Sequence, residues 1–92
     1  MTPAIHHDEN RMRYSIFVEG QEAYLTYERP RTGHRHVTHT IVPGSIGGRG
    51  LGSILVQHFM QDTMRAGETV SSSCWFASDL IEKTPEWARL QA

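Results

Sequence analysis

The most constraining feature of this sequence is a glycine-rich segment, Gly-Gly-Arg-Gly-Leu-Gly at residues 47–52, between a strand-like and a helix-like stretch. Glycine has no Cβ atom, so it accepts positive φ angles and lets a ligand approach the backbone closely. The first turn of a helix adds N–H groups without intrahelical partners and a partial positive charge. The segment therefore predicts a loop that binds a diphosphate through backbone amides. The alternative is a flexible turn before a helix, without a ligand.

Apolar residues on either side of this segment repeat with the periods of a helix and of strands. Downstream, helical spacing continues to Ala66-Gly67, where glycine suits the residue just past a helix end. The apolar helix positions are Leu51, Ile54, Leu55, Phe59 and Met60. Upstream, alternation predicts a hairpin of two strands around a turn at Glu19-Gly20. Its apolar positions are Tyr14, Ile16, Val18, Ala23, Leu25 and Tyr27.

The remaining segments predict two more strands and two short helices. Proline and glycine indicate a turn over residues 29–33, before a third strand from about Arg35 to Val42. Residues 69–73 form a weak strand pattern, parallel to the third strand if the long helix crosses over between them. Residues 77–83 predict a short helix. Thr84-Pro85-Glu86 predicts another helix start, with threonine as N-cap and proline in the first position.

Composition limits the chain to one small domain and argues against several functions. Its 92 residues can build one core. Residues 1–10 show no periodicity and are predicted to be a flexible tail, which leaves 11–92 as the domain. A net charge of −1, with Lys83 the single lysine, offers no basic surface to nucleic acid. No apolar run approaches the roughly 20 residues that span a bilayer, and no signal-peptide pattern is present, so the cytoplasm is expected.

Other phosphate motifs and metal sites do not fit the residues. A Walker loop needs a lysine after its last glycine, and no lysine follows these glycines. A dinucleotide fingerprint needs Gly-x-Gly-x-x-Gly, but Gly48-x-Gly50 is followed by Ser53 at the third glycine position. The pairs His6-His7 and His34-x-His36 lack a defined third and fourth ligand, so no metal site is predicted.

Three separated pieces of the sequence resemble the GNAT acetyltransferase superfamily in order and spacing. His-Thr-Ile-Val-Pro at 39–43 and Gly-Arg-Gly-Leu-Gly-Ser-Ile-Leu-Val at 48–56 look like its β-strand and pyrophosphate loop. Its small stand-alone members have a strand ending in Pro-x-Cys-Pro-Phe/Tyr and a later Pro-Glu-Tyr. This chain has Ser-Ser-Ser-Cys-Trp-Phe at 71–76 and Lys-Thr-Pro-Glu-Trp at 83–87. The resemblance covers residues 14–87.

The resemblance implies both a fold and an activity. The fold is of the α+β class: a minimal GNAT-like mixed sheet of antiparallel strands followed by a β-α-β unit, with one long helix and short C-terminal helices. The activity is acetyl transfer from acetyl-CoA to a small-molecule or protein amine. The pantetheine arm would enter between the third and fourth strands, which part at their C-terminal ends. The oligomeric state is left open.

The predicted cofactor-binding residues form two groups. The loop and helix start contribute Gly47, Gly48, Arg49, Gly50, Leu51, Gly52 and Ser53. The superfamily has Arg or Gln where this chain has Gly47, so only the backbone N–H of Gly47 is expected to bind. Amides near Thr40, Ile41 and Val42 are predicted to stabilise the carbonyl oxygen as charge develops.

His39 and Cys74 are the predicted catalytic residues. An unperturbed imidazole titrates at about pH 6.5, so a histidine at position 39 suits a general base. By alternation His39 shares a face with Val37 and Ile41, so a place in the core is its alternative. Cys74, at the end of the last strand, is a candidate leaving-group acid or transient acyl acceptor, and a buried structural cysteine is the alternative.

Two other functions remain compatible with these residues. A non-catalytic acyl-CoA or CoA binding module would retain the loop without a working base and acid. A structural interaction domain would bind no ligand at the glycine segment. Trp75, Phe76 and Trp87 are expected to pack the small core rather than to contact a substrate.

Overall fold

The computed structural model describes residues 4–92, which form one sheet and three helices. The strands are β1 His6–Asp8, β2 Arg13–Val18, β3 Gln21–Arg31, β4 His34–Ile41 and β5 Thr69–Ser72. The helices are α1 Leu51–Arg65, α2 Trp75–Lys83 and α3 Pro85–Ala88, and a 3-10 turn covers Gly44–Ile46. Over the described range, no helix is both long and apolar enough to cross a membrane.

The sheet is mixed, and its strand order follows the sequence. Strands β1 to β4 are antiparallel to their neighbours, whereas β4 and β5 are parallel. Parallel neighbours need a crossover connection, which α1 supplies. The β4–β5 register runs from His34 opposite Thr69 to Val37 opposite Ser72. β5 ends at Ser72, whereas β4 continues to Ile41, so the last residues of β4 have no β5 partner within the described residues. The predicted antiparallel strands followed by a β-α-β unit are confirmed.

One face of the sheet packs against the helices and forms the core. The alternation of β2 and β3 and the helical period of α1 supply most of it. The buried apolar side chains include Tyr14, Ile16, Ala23, Leu25, Tyr27, Leu51, Leu55, Val56, Phe59 and Met60. Ala77 and Ile81 add the buried side of α2. We call the opposite side of the sheet the outer face; it carries Thr26 and Glu28 of β3, His34 and His36 of β4, and Ser71 of β5.

The short strand β1 corrects the prediction of a flexible tail over residues 1–10. Residues 6–8 pair with residues 13–15 of β2. The imidazole of His7 stacks on the ring of Tyr14 at 3.9 Å between centroids, and its Nε2 lies 2.8 Å from the Tyr27 hydroxyl. These tertiary contacts hold a strand that is too short and polar to show periodicity. Residues 1–3 of the predicted tail lie outside the described residues.

A bulge in β3 shortens the predicted turn over residues 29–33. Glu28 pairs with His36 and Arg31 with His34, so β3 has one residue more than β4 over this stretch. Residues 29–31 therefore continue the strand. Pro30, which has no N–H, lies within the bulged segment, where a missing ladder hydrogen bond is tolerated.

A second bulge lies in β4 at Thr38. Thr26 pairs with His39 and Tyr27 with Val37, which leaves Thr38 as the extra residue. Because side chains alternate between the faces of a sheet, one extra residue reverses the assignment of every later position.

A buried arginine and its hydrogen-bonded partners lie around the C-terminal end of α1. Arg35 is only 4% exposed, and its Nε donates to Glu68 Oε1 at 2.8 Å. Arg29 Nη1 donates to the same carboxylate at 2.9 Å. The Tyr14 hydroxyl accepts from Arg35 Nη1 at 3.1 Å and donates to Asp62 Oδ2 at 2.7 Å. Burial, followed by the hydrogen bond to Asp62, raises the pKa of Tyr14, so its proton stays in place.

The C-terminal segment confirms the helix start at Thr84 but not its capping bond. Thr84 is the N-cap of α3, with Pro85 in the first turn, yet its side chain caps no N–H. Its hydroxyl instead donates to the carbonyl of Leu80 at 2.9 Å. The chain then returns to the free edge of β5, where the N–H of Val70 donates to the carbonyl of Leu90 at 2.9 Å.

Candidate functional site

A cavity of about 420 Å³ opens where β4, α1 and α2 meet, beside the end of β4 that extends past β5. Its walls are the end of β4, the glycine loop with the first turn of α1, and the start of α2. The lining residues are Thr40, Val42, Gly47, Gly48, Gly50, Leu51, Gly52, Ser53, Cys74, Trp75 and Phe76. Apart from Ile41 and Arg49, the predicted cofactor-binding residues therefore surround one space.

The start of α1 offers a run of unpaired backbone donors. The first helical hydrogen bond runs from the N–H of Ile54 to the carbonyl of Gly50, at 3.1 Å. Among the described residues, the N–H groups of residues 48–53 have no protein acceptor. Gly48 and Gly50 have φ angles of 75° and 73°, which strongly favour glycine. A helix start of this kind is suited to an anion.

Two loop residues differ from their predicted roles. The N–H of Gly47 donates to the carbonyl of Gly44 at 3.1 Å and closes the 3-10 turn, so it is not free to bind a ligand. The side chain of Arg49 lies outside the cavity wall, with its Nη2 3.1 Å from Glu19 Oε2. The partners, the Gly44 carbonyl and the Glu19 carboxylate, come into reach only in the folded loop and hairpin. The local sequence does not show these contacts.

Gly52 has a packing role in addition to its place in the loop. A Cβ atom at this position would lie 3.0 Å from two ring atoms of Phe76. The absence of a side chain therefore allows α2 to pack closely against the first turn of α1.

The bulge at Thr38 determines which β4 side chains reach the cavity. After the bulge, Thr40 pairs with Leu25, which belongs to the core. Thr40 and Val42 consequently line the cavity. The Thr40 Oγ1 atom is buried and has no hydrogen-bond partner among the described residues. A buried hydroxyl without a partner lowers stability unless a ligand or water supplies one.

The predicted face of His39 is wrong for the same reason. His39 pairs with Thr26, and its side chain is exposed on the outer face with that of Ile41. Val37, in contrast, is buried in the core. The sequence pattern alternates without a break through Thr38, so counting along it puts His39 and Val37 on one side.

Cys74 lies in the cavity wall as the N-cap residue of α2. The Ser72 side chain holds this position: its Oγ accepts from the N–H of Cys74 at 3.1 Å and donates to the carbonyl of Cys74 at 2.9 Å. The structure thus separates the two predicted catalytic residues, with Cys74 in the wall and His39 outside it. Within residues 4–92, no three His, Cys, Asp or Glu side chains are grouped to hold a metal ion.

The sequence profile of the family described as GCN5-related N-acetyl-transferase matches residues 13–90. The chain belongs to this family. Its fold is similar to the solution NMR structure of a GCN5-like protein from Staphylococcus aureus, assigned provisionally as an N-acetyltransferase, with a TM-score of 0.76 and 23% identity. That match covers 97% of this chain and 87% of the other. A comparison with curated proteins finds no match.

Two aromatic residues of this GCN5-related chain line the cavity; Phe76 packs against the core as expected, whereas Trp75 does not. Trp75 is 81% exposed, and its ring meets that of Phe76 edge-on at 6.3 Å between centroids. An indole this exposed, at a cavity mouth, is available to a ligand. The sequence signal for Trp75 as a cavity residue is its position directly after Cys74, just past the end of β5.

Proposed function

We propose that this GCN5-related family member is an N-acetyltransferase that takes an acetyl group from acetyl-CoA and transfers it to an amine. The observation that carries the proposal is the run of unpaired N–H groups over residues 48–53, beside the cavity that also contains Cys74. An anion at this helix start meets hydrogen-bond donors and the positive end of the helix dipole. The first turn of α1 contains no acidic residue that would repel it.

The shape of the cavity suits the rest of the cofactor. With the pyrophosphate at the start of α1, the pantetheine arm would lie along Thr40 and Val42, on the core side of β4. The unpaired hydroxyl of Thr40 would pair with a polar group of that arm, which removes its cost in the free protein. The thioester would then lie beside Cys74, where β4 and β5 part.

Acetyl transfer needs an amine without its extra proton, stabilisation of the carbonyl oxygen, and a proton for the departing thiolate. The backbone N–H groups at Thr40, Ile41 and Val42 remain the proposed donors to the carbonyl oxygen. Cys74 is the proposed acid for the thiolate, since its thiol is the one in the cavity wall. His39 has no direct contact with this cavity.

Binding of acetyl-CoA tests the proposal first. A ligand at about 100 times its Kd stabilises a protein by about 2.7 kcal/mol, so the unfolding temperature should rise clearly. In the NMR spectrum of the ¹⁵N-labelled protein, the amide signals of residues 48–53 should shift most. Acetyl-pantetheine, which lacks the diphosphate, is the control ligand and should leave these amides nearly unchanged. No shift at millimolar acetyl-CoA would contradict the proposal and favour an interaction domain.

Release of the coenzyme A thiol in the presence of a panel of amines tests catalysis separately. Release above the uncatalysed rate supports the enzyme. Binding at residues 48–53 without release on any amine supports the second candidate, a non-catalytic acyl-CoA or CoA binding module. Within residues 4–92, the cavity wall contains no histidine or carboxylate side chain, and this observation keeps the second candidate open.

A further inference from the structure

Five polar side chains form an unbroken hydrogen-bonded row on the outer face of β4 and at the end of β5. We call this row the histidine ladder; its order is Thr69, His34, Ser71, His36 and Ser73. His34 Nδ1 lies 2.7 Å from Thr69 Oγ1, and its Nε2 lies 2.7 Å from Ser71 Oγ. His36 Nδ1 lies 2.7 Å from the same Ser71 Oγ, and its Nε2 lies 3.1 Å from Ser73 Oγ.

Both ends of the ladder reach a backbone carbonyl. Thr69 Oγ1 lies 3.4 Å from the carbonyl oxygen of Gly33, and Ser73 Oγ lies 3.3 Å from that of Val37. The ladder thus has four internal contacts and two terminal ones. Each contact takes one hydrogen.

The number of hydrogens determines how many protons the ladder can hold. When neutral, its three hydroxyls and two imidazoles supply one hydrogen each, which fill the internal contacts and one terminal carbonyl. One additional proton supplies the hydrogen for the contact with the second terminal carbonyl, so that every donor has an acceptor. A further proton would leave a donor without one, most directly at Ser71, which lies between the two imidazoles. The ladder is therefore suited to a single extra proton.

The surroundings direct this proton toward His36. Burial, the guanidinium of Arg31 and the neighbouring imidazole of His36 lower the pKa of His34. His36 is only half-buried, and the carboxylate-bearing Glu28 is its partner across the strands on β3. On the β5 side, the two imidazoles contact the hydroxyl groups of Thr69 and Ser71. His39 lies farther along β4, beyond the bulge.

The His36 end of the ladder lies where the sheet opens. The N–H of Ser73 donates to the carbonyl of Val37 at 3.0 Å and closes the pairing of β4 with β5. The next residue, Cys74, lines the cavity. Ser73 is exposed, so its hydroxyl is accessible to an amine that enters the gap from the outer face. The ladder thus places an imidazole behind the gap, although the cavity wall contains none.

Resting on the proposed N-acetyltransferase function, we propose that the histidine ladder accepts the ammonium proton of the amine substrate, with Ser73 as the contact and His36 as the base behind it. Ser73 Oγ takes the ammonium proton while passing its own hydrogen to His36 Nε2. The nitrogen lone pair forms the C–N bond and the C–S bond breaks. The thiolate receives a proton from Cys74, which regains one from the new amide nitrogen. His36 then returns its proton to solvent.

Imidazole NMR of the whole protein tests the proton count without requiring activity. As the pH is lowered, the ring ¹⁵N signals should show one imidazole of the ladder gaining a proton, at the His36 end, while His34 stays neutral. Ser71→Ala cuts the ladder between the rings, and the two histidines should then titrate independently. Thr26→Val, the control, removes another outer-face hydroxyl contact, 2.6 Å from Thr38 Oγ1, and should leave both titrations unchanged. Simultaneous protonation of both rings in the unaltered protein would rule out the one-proton ladder.

The pH dependence of kcat/KM tests the role in catalysis. His36→Gln should lower kcat/KM by about 100-fold and Ser71→Ala by about tenfold at neutral pH, each with an unchanged KM for acetyl-CoA. In Ser71→Ala the acidic limb should move to lower pH, because the imidazolium of His36 loses its acceptor at Nδ1. Ser71→Thr keeps the hydroxyl and should restore the profile. Unchanged profiles in both variants would overturn the ladder while leaving the proposed function intact, whereas no transfer by the unaltered protein would contradict the function itself.

Discussion

The two ends of α1 differ in whether their polar groups are paired. At the N-terminal end, the N–H groups of residues 48–53 and the Thr40 hydroxyl have no partner among the described residues. At the C-terminal end, Asp62 in the last turn accepts from the Tyr14 hydroxyl, and Glu68 just after the helix accepts from two arginines. Buried polar groups in proteins are normally paired. One helix thus has an end with paired polar groups and an end with unpaired ones within the described residues, and substitutions at the two should affect different measurements.

The largest effect is expected at the paired end, in Glu68→Gln. The change leaves the buried guanidinium of Arg35 without its carboxylate and should lower the free energy of unfolding by about 3 kcal/mol. Denaturant unfolding measures it. Asp79→Asn is the control, since Asp79 forms an exposed pair with Lys83 at 2.9 Å and should change stability by only about 0.3 kcal/mol. Equal losses of unfolding free energy in the two variants would contradict a larger contribution from the buried pair.

The carboxylate of Glu68 should also determine how the stability difference between the unaltered protein and Glu68→Gln varies with pH. Burial alone would raise the pKa of Glu68, but hydrogen bonds from Arg29 and Arg35 outweigh it and hold the pKa below its ordinary value. A lowered pKa in the folded state stabilises at pH values above the unfolded pKa of about 4.3. This stabilisation is lost as pH falls through the folded pKa, so the stability difference from Glu68→Gln should shrink in acid. A constant difference down to that range would argue against the ion pair.

At the unpaired end, Gly50→Asp should weaken binding in addition to the backbone strain that a side chain causes at a positive φ. It places a carboxylate beside the proposed pyrophosphate and should weaken acetyl-CoA binding by about 100-fold, or about 2.7 kcal/mol. Gly33→Asp is the matched control, because Gly33 also has a positive φ, of 77°, with no atom near its missing Cβ. Isothermal titration calorimetry compares the two. Similar affinities for the two variants would exclude the assigned phosphate site.

The two predicted catalytic residues should differ in their contribution to the rate. Cys74→Ala removes the thiol in the cavity wall and should lower kcat by about tenfold, or about 1.4 kcal/mol in the barrier. His39→Ala alters an exposed side chain on the outer face and should leave kcat within a factor of about two. Steady-state assays of coenzyme A release measure both. A larger loss in His39→Ala than in Cys74→Ala would reverse the assignment.

The smallest effect is expected for Thr40→Val, and its sign should differ between two measurements. Replacing a buried, unpaired hydroxyl with a methyl group of similar shape should stabilise the free protein by about 1 kcal/mol. The same change should weaken acetyl-CoA binding, because a hydrogen bond to the pantetheine arm is lost. Thermal unfolding with and without the cofactor reports both effects. A variant that is less stable in the free state would show that the Thr40 hydroxyl has a partner in solution.

Local periodicity was sufficient to predict most of the fold. The alternating residues of β2 and β3, such as Ile16 and Leu25, are buried as expected. The helical spacing after Leu51 correctly identifies the face of α1 that packs against β2 and β3. The glycine loop was also identified correctly as a helix start, because positive φ at Gly48 and Gly50 and the missing intrahelical partners are both local properties.

Features that depend on tertiary contacts were not predictable in the same way. Strand β1 is held by the stacking of His7 on Tyr14, between residues far apart in sequence. The bulge at Thr38 follows from its pairing with β3, and nothing in the local pattern marks it. His34 and His36 gave no metal-site pattern, whereas β5 supplies them with hydroxyl partners. The sequence therefore predicted the loop and helix start beside the cavity better than the faces of the β4 side chains.

The extra residue in β4 separates the face that a side chain takes from its place in an odd-even count. Val37 and Thr40 both lie on the core side, because β3 leaves Thr38 unpaired between them. Deleting Thr38 would remove the bulge and still leave His39 opposite Thr26 and Thr40 opposite Leu25, so the cavity would keep its threonine and its valine. The opposite change, in which Thr38 pairs with Thr26 and the bulge is lost, would put an imidazole where the threonine now lies.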